Sequence, residues 1–347
     1  MSKSERRRPT MVDVARLAGL SHQTVSRVLN DQPGVRPETR DRVLAAIDKL
    51  GYRRNAFARA LVTSRTRLLG VVVYGTSWYG PAGTLHGIQQ AAREARYFVT
   101  VVDLDKISHS TVKRALHVLT EYSPDGIVVI TLKRSVVDAL REMALGVPTV
   151  AVEGGEGTLD IPVVCVDQED GARLATEHLL GLGHSTVHHL AGPIDWLEAE
   201  TRMTGWRSCL EAAGASPPPV VRGDWTSRSG YEAGVKLLKQ RDVTAVFAAN
   251  DQMALGLLMA CREAGVRVPE DISVVGFDCM PESEFFAPPL TTVVQDFLAV
   301  GRTSIQLLLG MIDHVGVPVS RAVIPPRLVV RASTSRPRDA GAKPAPV

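Results

Sequence analysis

A chain of 347 residues with 45% hydrophobic content is long enough for a small domain and a large one, and no apolar run approaches the ~20 residues of a membrane-spanning helix. The formal charge is only +3, yet residues 1–67 hold 15 Lys/Arg against 6 Asp/Glu, so a head of +9 sits on a body of −6, which points to a polyanion partner for the head alone. The opening MSKSERRRPT lacks the apolar stretch of a signal peptide, and Cys165, Cys209, Cys261 and Cys279 are far apart with no CxxC. The expectation is a cytoplasmic protein with reduced core thiols and no membrane partner.

The first predicted element is a short helix in which Val14, Leu17 and Ala18 share one face, capped by Thr10 with Asp13 three residues on. Gly19 ends it, since glycine accepts the left-handed backbone of a helix stop. Ser21 then caps a second helix with Val25, Val28 and Leu29 inward and His22, Gln23, Ser26, Arg27 and Asn30 on the opposite face. That face carries donors, acceptors and one fixed positive fork but no acid, as a helix entering a major groove requires. A solvated surface helix would have the same pattern. A third amphipathic segment, 39–50, follows Pro37 with Val43, Leu44 and Ile47 inward and closes a three-helix unit. Residues 52–61 (YRRNAFARAL) are helix-capable without a core of their own, and 63–67 form a short linker.

From Leu68 the pattern changes to apolar strand runs alternating with helical periods. One series lies at 68–74, 98–104, 126–130 and 148–152, and a second at 163–166, 187–191, 244–248 and 272–277. Such alternation implies parallel sheets covered on both faces, and two series imply two α/β lobes with a cleft at the strand ends. The segment from Arg336 is rich in Pro, Ala and charge, and 337–347 is expected to be a disordered tail.

Taken in order, DVARLAGLSHQTVSRVLN and then GYRRNAFARAL resemble the DNA-binding headpiece and hinge of the lac repressor family of transcriptional regulators. The body resembles the same family's sugar-binding core, which shares its fold with type I periplasmic binding proteins. The resemblance is dense at AGP (191–193), RMTGW (202–206), GDW (223–225), ANDQMALG (249–256), DISVVGFD (271–278) and PPLTTVVQDF (288–297). It implies a helix-turn-helix headpiece at 1–51, a hinge helix and linker at 52–67, and a two-lobed effector and dimerisation domain at 68–336. DNA contacts then fall to Thr10, Ser21, His22, Gln23, Ser26, Arg27 and Asn30 in the headpiece, and to Tyr52, Asn55, Ala58 and Leu61 in the hinge. Leu61 matches the family's wedge residue, which enters the minor groove and kinks the central step.

In the body, the resemblance makes Arg202, Asn250 and Asp278 a polar clamp on a pyranose, each expected near a strand end or helix start. Trp225 becomes the stacking surface, and Gln295 with Phe297 the opposite wall. The plainer alternative has Asp278 capping a loop and Trp225 packed in the core. Tyr74, Trp78 and Glu153 depart from the family pattern in lobe one, and Trp196 and Glu198 are placed at the mouth of the cleft. These changes suit a larger or differently linked sugar.

Other chemistry fails on spacing. Residues 75–80 (GTSWYG) are one residue too long for GxSxG, and there is no Walker loop or GxGxxG, so no cofactor is expected. His184, His188 and His189 lack an acid or cysteine at metal spacing and are taken as surface or strand-end residues. The expected function is a homodimeric repressor of sugar-utilisation genes, released from a near-palindromic operator by a sugar. A sugar-delivering binding protein and a sugar-processing enzyme are the alternatives. The enzyme would need paired carboxylates, for which Glu153 and Asp278 are the tempting couple.

Overall fold

A computed structural model describes residues 9–29, 32–53, 65–130, 133–142, 146–152, 161–240, 242–315 and 321–338. The chain divides into two compact units, Met1–Thr66 and Arg67–Val347.

The first unit holds α1 (Met11–Ala18), α2 (His22–Leu29) and α3 (Pro37–Leu50). Thr10 and Asp13 satisfy each other's backbone amides at 3.4 and 2.8 Å, a reciprocal box that starts α1. Gly19 stops it at φ +62°. Ser21 Oγ accepts from the Thr24 amide at 3.1 Å and starts α2. Arg42 donates to the Ala18 carbonyl at 2.7 Å, tying α3 to the end of α1. The core is Val14, Ala15, Ala18, Val25, Val28, Val43 and Ala46.

Two residues expected inside are not there: Leu17 is 43% exposed and Leu44 is 48% exposed. Each helix has its buried stripe roughly 100° away from the misjudged leucine at 3.6 residues per turn. On α1 the stripe runs through Val14, Ala15 and Ala18, because small residues there let the helices approach closely.

The second unit contains two six-stranded sheets. The first lobe is built from β1 (Leu68–Tyr74), α4 (Tyr79–Glu94), β2 (Phe98–Leu104), α5 (His109–Glu121), β3 (Gly126–Ile130), α6 (Arg134–Glu142), β4 (Thr149–Val152) and β5 (Val163–Val166). The second holds α7 (Gln168–Gly181), β6 (His188–Ala191), α8 (Leu197–Ala212), β7 (Val221–Arg222), α9 (Ser227–Leu237), β8 (Ala245–Ala248), α10 (Asp251–Glu263), β9 (Ser273–Asp278) and β10 (Thr291–Val294). The chain then returns to lobe one with α11 (Phe297–Ile312) and β11 (Arg321–Ile324), and crosses back with β12 (Arg327–Val329).

Strand order is β11-β5-β4-β3-β1-β2 in one sheet and β12-β10-β9-β8-β6-β7 in the other. All pairings are parallel except β10–β12. Buried Val, Ile and Leu on both sides of each sheet explain the unbroken apolar runs.

One expectation is corrected here. Residues 163–166, placed at the start of the second series, belong to the first sheet as β5. Hydropathy marks a buried strand but not the sheet it joins. Within the segment expected to be a disordered tail, Arg338 pairs with Asp271 at 2.7 Å, and 339–347 lie outside the described residues. Among the described residues no helix is long and apolar enough to cross a membrane.

Candidate functional site

On α2, Ser21, His22, Gln23 and Arg27 are exposed and Ser26 is half-buried, while Val25 and Val28 are buried. Two members of the expected DNA-contacting set also have local duties. Thr10 Oγ1 bonds Asp13 at 2.7 Å, and Ser21 Oγ caps the helix. Tyr52 packs against the three-helix core, its amide donating to the Ile47 carbonyl at 3.0 Å. Asn30, Asn55, Ala58 and Leu61 lie outside the described residues.

In the body, the carboxyl ends of the strands and the crossovers bring distant side chains together. One cavity is lined by Trp78, Tyr79, Pro81, Thr84 and Ile130 from lobe one, and by Trp196, Glu198, Arg202, Trp225, Asn250 and Asp278 from lobe two. Gln295, at a crossover, and Phe297, the first residue of α11, complete it. Its volume is about 60 Å3.

The polar floor is a closed ring of four side chains. Arg202 Nε donates to Gln168 Oε1 at 2.8 Å, Gln168 Nε2 to Gln295 Oε1 at 2.7 Å, and Gln295 Nε2 to Asp278 Oδ1 at 2.6 Å. Arg202 Nη2 stands 3.8 Å from the same Asp278 oxygen and closes the loop. Arg202 also donates to the Ala249 carbonyl and lies 3.8 Å over the Phe277 ring. Such a network fixes each side chain's orientation before any ligand arrives.

Asn250 is engaged as well. Its Oδ1 caps α10 through the Met253 amide at 2.9 Å, and its Nδ2 donates to the Trp225 carbonyl at 3.1 Å. Arg202 differs from expectation, since it lies within α8 rather than at an element end. Gln168, the link between Arg202 and Gln295, was not among the expected residues. As the first residue after the Asp167 cap of α7 it resembles any polar helix start, so no local signal marks it.

The aromatic wall runs across the cleft. Trp78 meets Trp196 with centroids 5.0 Å apart at 81°, and Trp196 meets Trp225 at 5.7 Å and 74°. Tyr74 does not line the cavity, but supports Trp78 from behind at 5.4 Å. Glu153 lies outside the described residues. Trp225 and Asp278 both have left-handed backbones, at φ +76° and +104°, an uncommon state for such side chains that collects at ligand clamps. Gly192 makes room for Trp225, since a Cβ there would stand 2.2 Å from the indole ring.

Burial pushes the Asp278 carboxyl up to about 6, against the pull of Arg202 and Gln295. Asp251 lies behind it, accepting from Thr292 Oγ1 at 2.6 Å and the Met280 amide at 2.7 Å. Burial and then the Asp278 charge push Asp251 up to about 8.

None of the three histidines is on the surface: all are buried, and His188 opens β6, a strand end as expected. His189 stacks between Trp206 and Phe247 on β6, an interior strand covered on both faces, and burial drives its pKa down to about 4.

Known proteins resemble this chain over nearly its whole length. Residues 10–55 match the model of bacterial regulatory proteins of the lacI family, and residues 176–334 match a periplasmic binding protein-like domain. The lactose operon repressor of Escherichia coli (strain K12) is 35% identical over 337 residues, covering 96% of this chain and 93% of that protein. This chain belongs to the lacI family of bacterial regulatory proteins. A crystal structure of the lac repressor dimer bound to operator and the anti-inducer ONPF matches with TM-score 0.85 at 33% identity, covering 95% of this chain and 100% of that one. A structure of the transcriptional regulator CelR with cellobiose matches with TM-score 0.71 at 33% identity, covering 94% and 100%.

Within this lacI-family body the buried acids predict a pH effect. An aspartate whose folded pKa is raised from the ordinary 3.8 to about 8 retains a proton that the unfolded chain has lost. Its contribution is therefore fully present below about pH 4 and is lost as pH rises through about 8. The body should melt lower at pH 8.5 than at pH 5.5. Asp251→Asn, which mimics the neutral acid, should flatten that difference. Thermal melts at both pH values check this, and an unchanged slope in the variant would assign the effect to other groups.

Proposed function

We propose that this lacI-family regulator is a dimeric repressor that holds a near-palindromic operator and releases it when a sugar enters the cleft between its lobes. The observation that carries this reading is the union, in one chain, of an exposed α2 reading face with a cleft floored by the Arg202–Gln168–Gln295–Asp278 ring. A buried array of forks, amides and a carboxylate beside tryptophans suits a ring with hydroxyl edges and an apolar face. The names of its relatives favour the same view. They are transcriptional regulators, one in complex with cellobiose, which favours regulation over the transport and enzyme alternatives.

The operator is read by His22 and Gln23, with Arg27 and Ser26 beside them, while Thr10 and Ser21 position the helix. Asn55, Ala58 and Leu61 act as the hinge that the resemblance implies. A second copy of the chain would cover the apolar surface of α9 and α10, where Val235, Leu255 and Met259 are exposed, together with Phe285 at 80% exposure. Sugar acts only through its preference for one arrangement of the lobes. No cofactor or membrane takes part.

Selection of random duplexes by the purified full-length chain, followed by titration of the bound duplex with a sugar panel, tests this reading. The selected sites should be inverted repeats with half-sites about 10 base pairs apart, centre to centre. Exchanging His22 and Gln23 for other residues should change the half-site sequence while preserving non-specific binding. Recovery of single half-sites would overturn the dimer, and recovery of no common sequence would overturn the operator function.

A further inference from the structure

The charged and amide groups of the cleft are not shared between the lobes. Among the described residues that line it, Arg202, Asn250, Asp278 and Glu198 belong to lobe two and Gln295 directly follows its strand β10, whereas lobe one offers Trp78 and other largely apolar groups. One sugar ring bound on the polar floor would draw its directional bonds from lobe two. The aromatic wall is different, because it spans both lobes. Trp78 stands at the start of α4 in lobe one, and Trp196 immediately precedes α8 in lobe two.

Trp196 is also held from the opposite side. Lys133, just past the end of β3 in lobe one, forms an antiparallel backbone bridge with Trp196, and its Nζ lies 3.9 Å from Asp195 and 5.8 Å from the Trp196 ring centroid. The Trp196 indole is 6% exposed. Two residues further on, Glu198 is 7% exposed and lines the same cavity, one helical turn before Arg202. Its carboxylate lies in the first turn of α8, where the helix end favours negative charge.

The space of about 60 Å3 between the lining side chains holds a few waters and is smaller than a sugar ring, so seating one moves the lining. The polar floor is tied by three hydrogen bonds and the Arg202–Asp278 ion pair, whereas the Trp78–Trp196 contact is held by dispersion and quadrupole terms, so that contact is the part that yields. Parting two indoles forfeits their contact unless something flat refills it.

Resting on the sugar reading above, we infer that the effector is a neutral disaccharide, one ring on the Arg202–Asp278 floor and the second between Trp78 and Trp196. The second ring presents C–H faces to the indoles and a hydroxyl edge to the Glu198 carboxylate. A monosaccharide fills the floor but restores nothing between the indoles. Trp78, Trp196 and Glu198 thus set ligand length, and Lys133 is a positioning residue that keeps Trp196 across the cleft.

Calorimetric titration of the full-length protein with cellobiose, lactose and maltose, and with glucose and galactose, tests this. At least one disaccharide should bind about tenfold or more tightly than either of its constituent sugars, since an aromatic contact on each face is worth about that factor. Trp196→Ala and Trp78→Leu, altering opposite lobes, should each bring that ratio close to one. A melting temperature taken alongside identifies a variant that has failed to fold. Equal affinity for monosaccharide and disaccharide, or an unchanged ratio in both folded variants, would overturn the inference. If none of the five sugars binds, the sugar reading falls with it, whereas duplex selection reports separately on the DNA function.

Discussion

Operator affinity should fall by about a thousandfold or more between ~50 and ~200 mM salt. Residues 1–67 carry a balance of +9, which doubles in a dimer, while the body is acidic. Each phosphate neutralised by a Lys or Arg releases condensed counterions and adds about −0.9 to the slope of log affinity against log salt. Six to ten such contacts across two headpieces bring the loss into that range. The body contributes little to this attraction, because its net charge opposes it. Fluorescence anisotropy with the selected duplex at four or five salt concentrations gives the slope directly. A slope near zero would mean that the basic head meets something other than a nucleic acid.

Arg202→Met should disrupt the effector cleft and destabilise the body. The replacement keeps much of the length but removes the donors to Gln168 and Ala249, the pairing with Asp278 and the cation over Phe277. Removing one member of a buried pair leaves the other charge uncompensated, at a cost of about 3–5 kcal/mol. Here the cost depends on pH. With Arg202 gone, the Asp278 carboxyl, already at about 6, should titrate higher still and shed its charge in mild acid. The melting temperature should therefore fall much more at pH 8 than at pH 5.5, and sugar affinity should be lost at both. A variant that melts like the parent at pH 8 would show that the ring does not hold the cleft together.

Both predictions depend on features of different legibility. The headpiece was readable because its determinants are local. Thr10 with Asp13, Gly19 and Ser21 act within one turn, and the helix period places His22, Gln23 and Arg27 on the exposed face with few assumptions. The same locality explains the errors at Leu17 and Leu44. A leucine on the flank of a short helix is apolar enough to look internal, and only the packing of three helices chooses which stripe is covered. In the body, Arg202, Asn250, Asp278, Trp225, Gln295 and Phe297 do meet at one cleft, as the family resemblance implied. Gln168 was missed, and no window around it could have revealed it, because its partner Gln295 is 127 residues away.

The sequence alone therefore determined the headpiece caps, the basic head and the buried strands, because propensity, periodicity and charge are properties of short stretches, while the polar clamp residues came from the family resemblance. Tertiary structure alone decided that Val163–Val166 joins the first sheet, that His189 is walled in by Trp206 and Phe247, and that Arg202, Gln168, Gln295 and Asp278 close a ring. It also decided that Trp78 and Trp196 face each other across the cleft. Those outcomes depend on three crossovers between the lobes, which bring together residues far apart in the chain, and no local pattern of hydropathy specifies where a crossover lands.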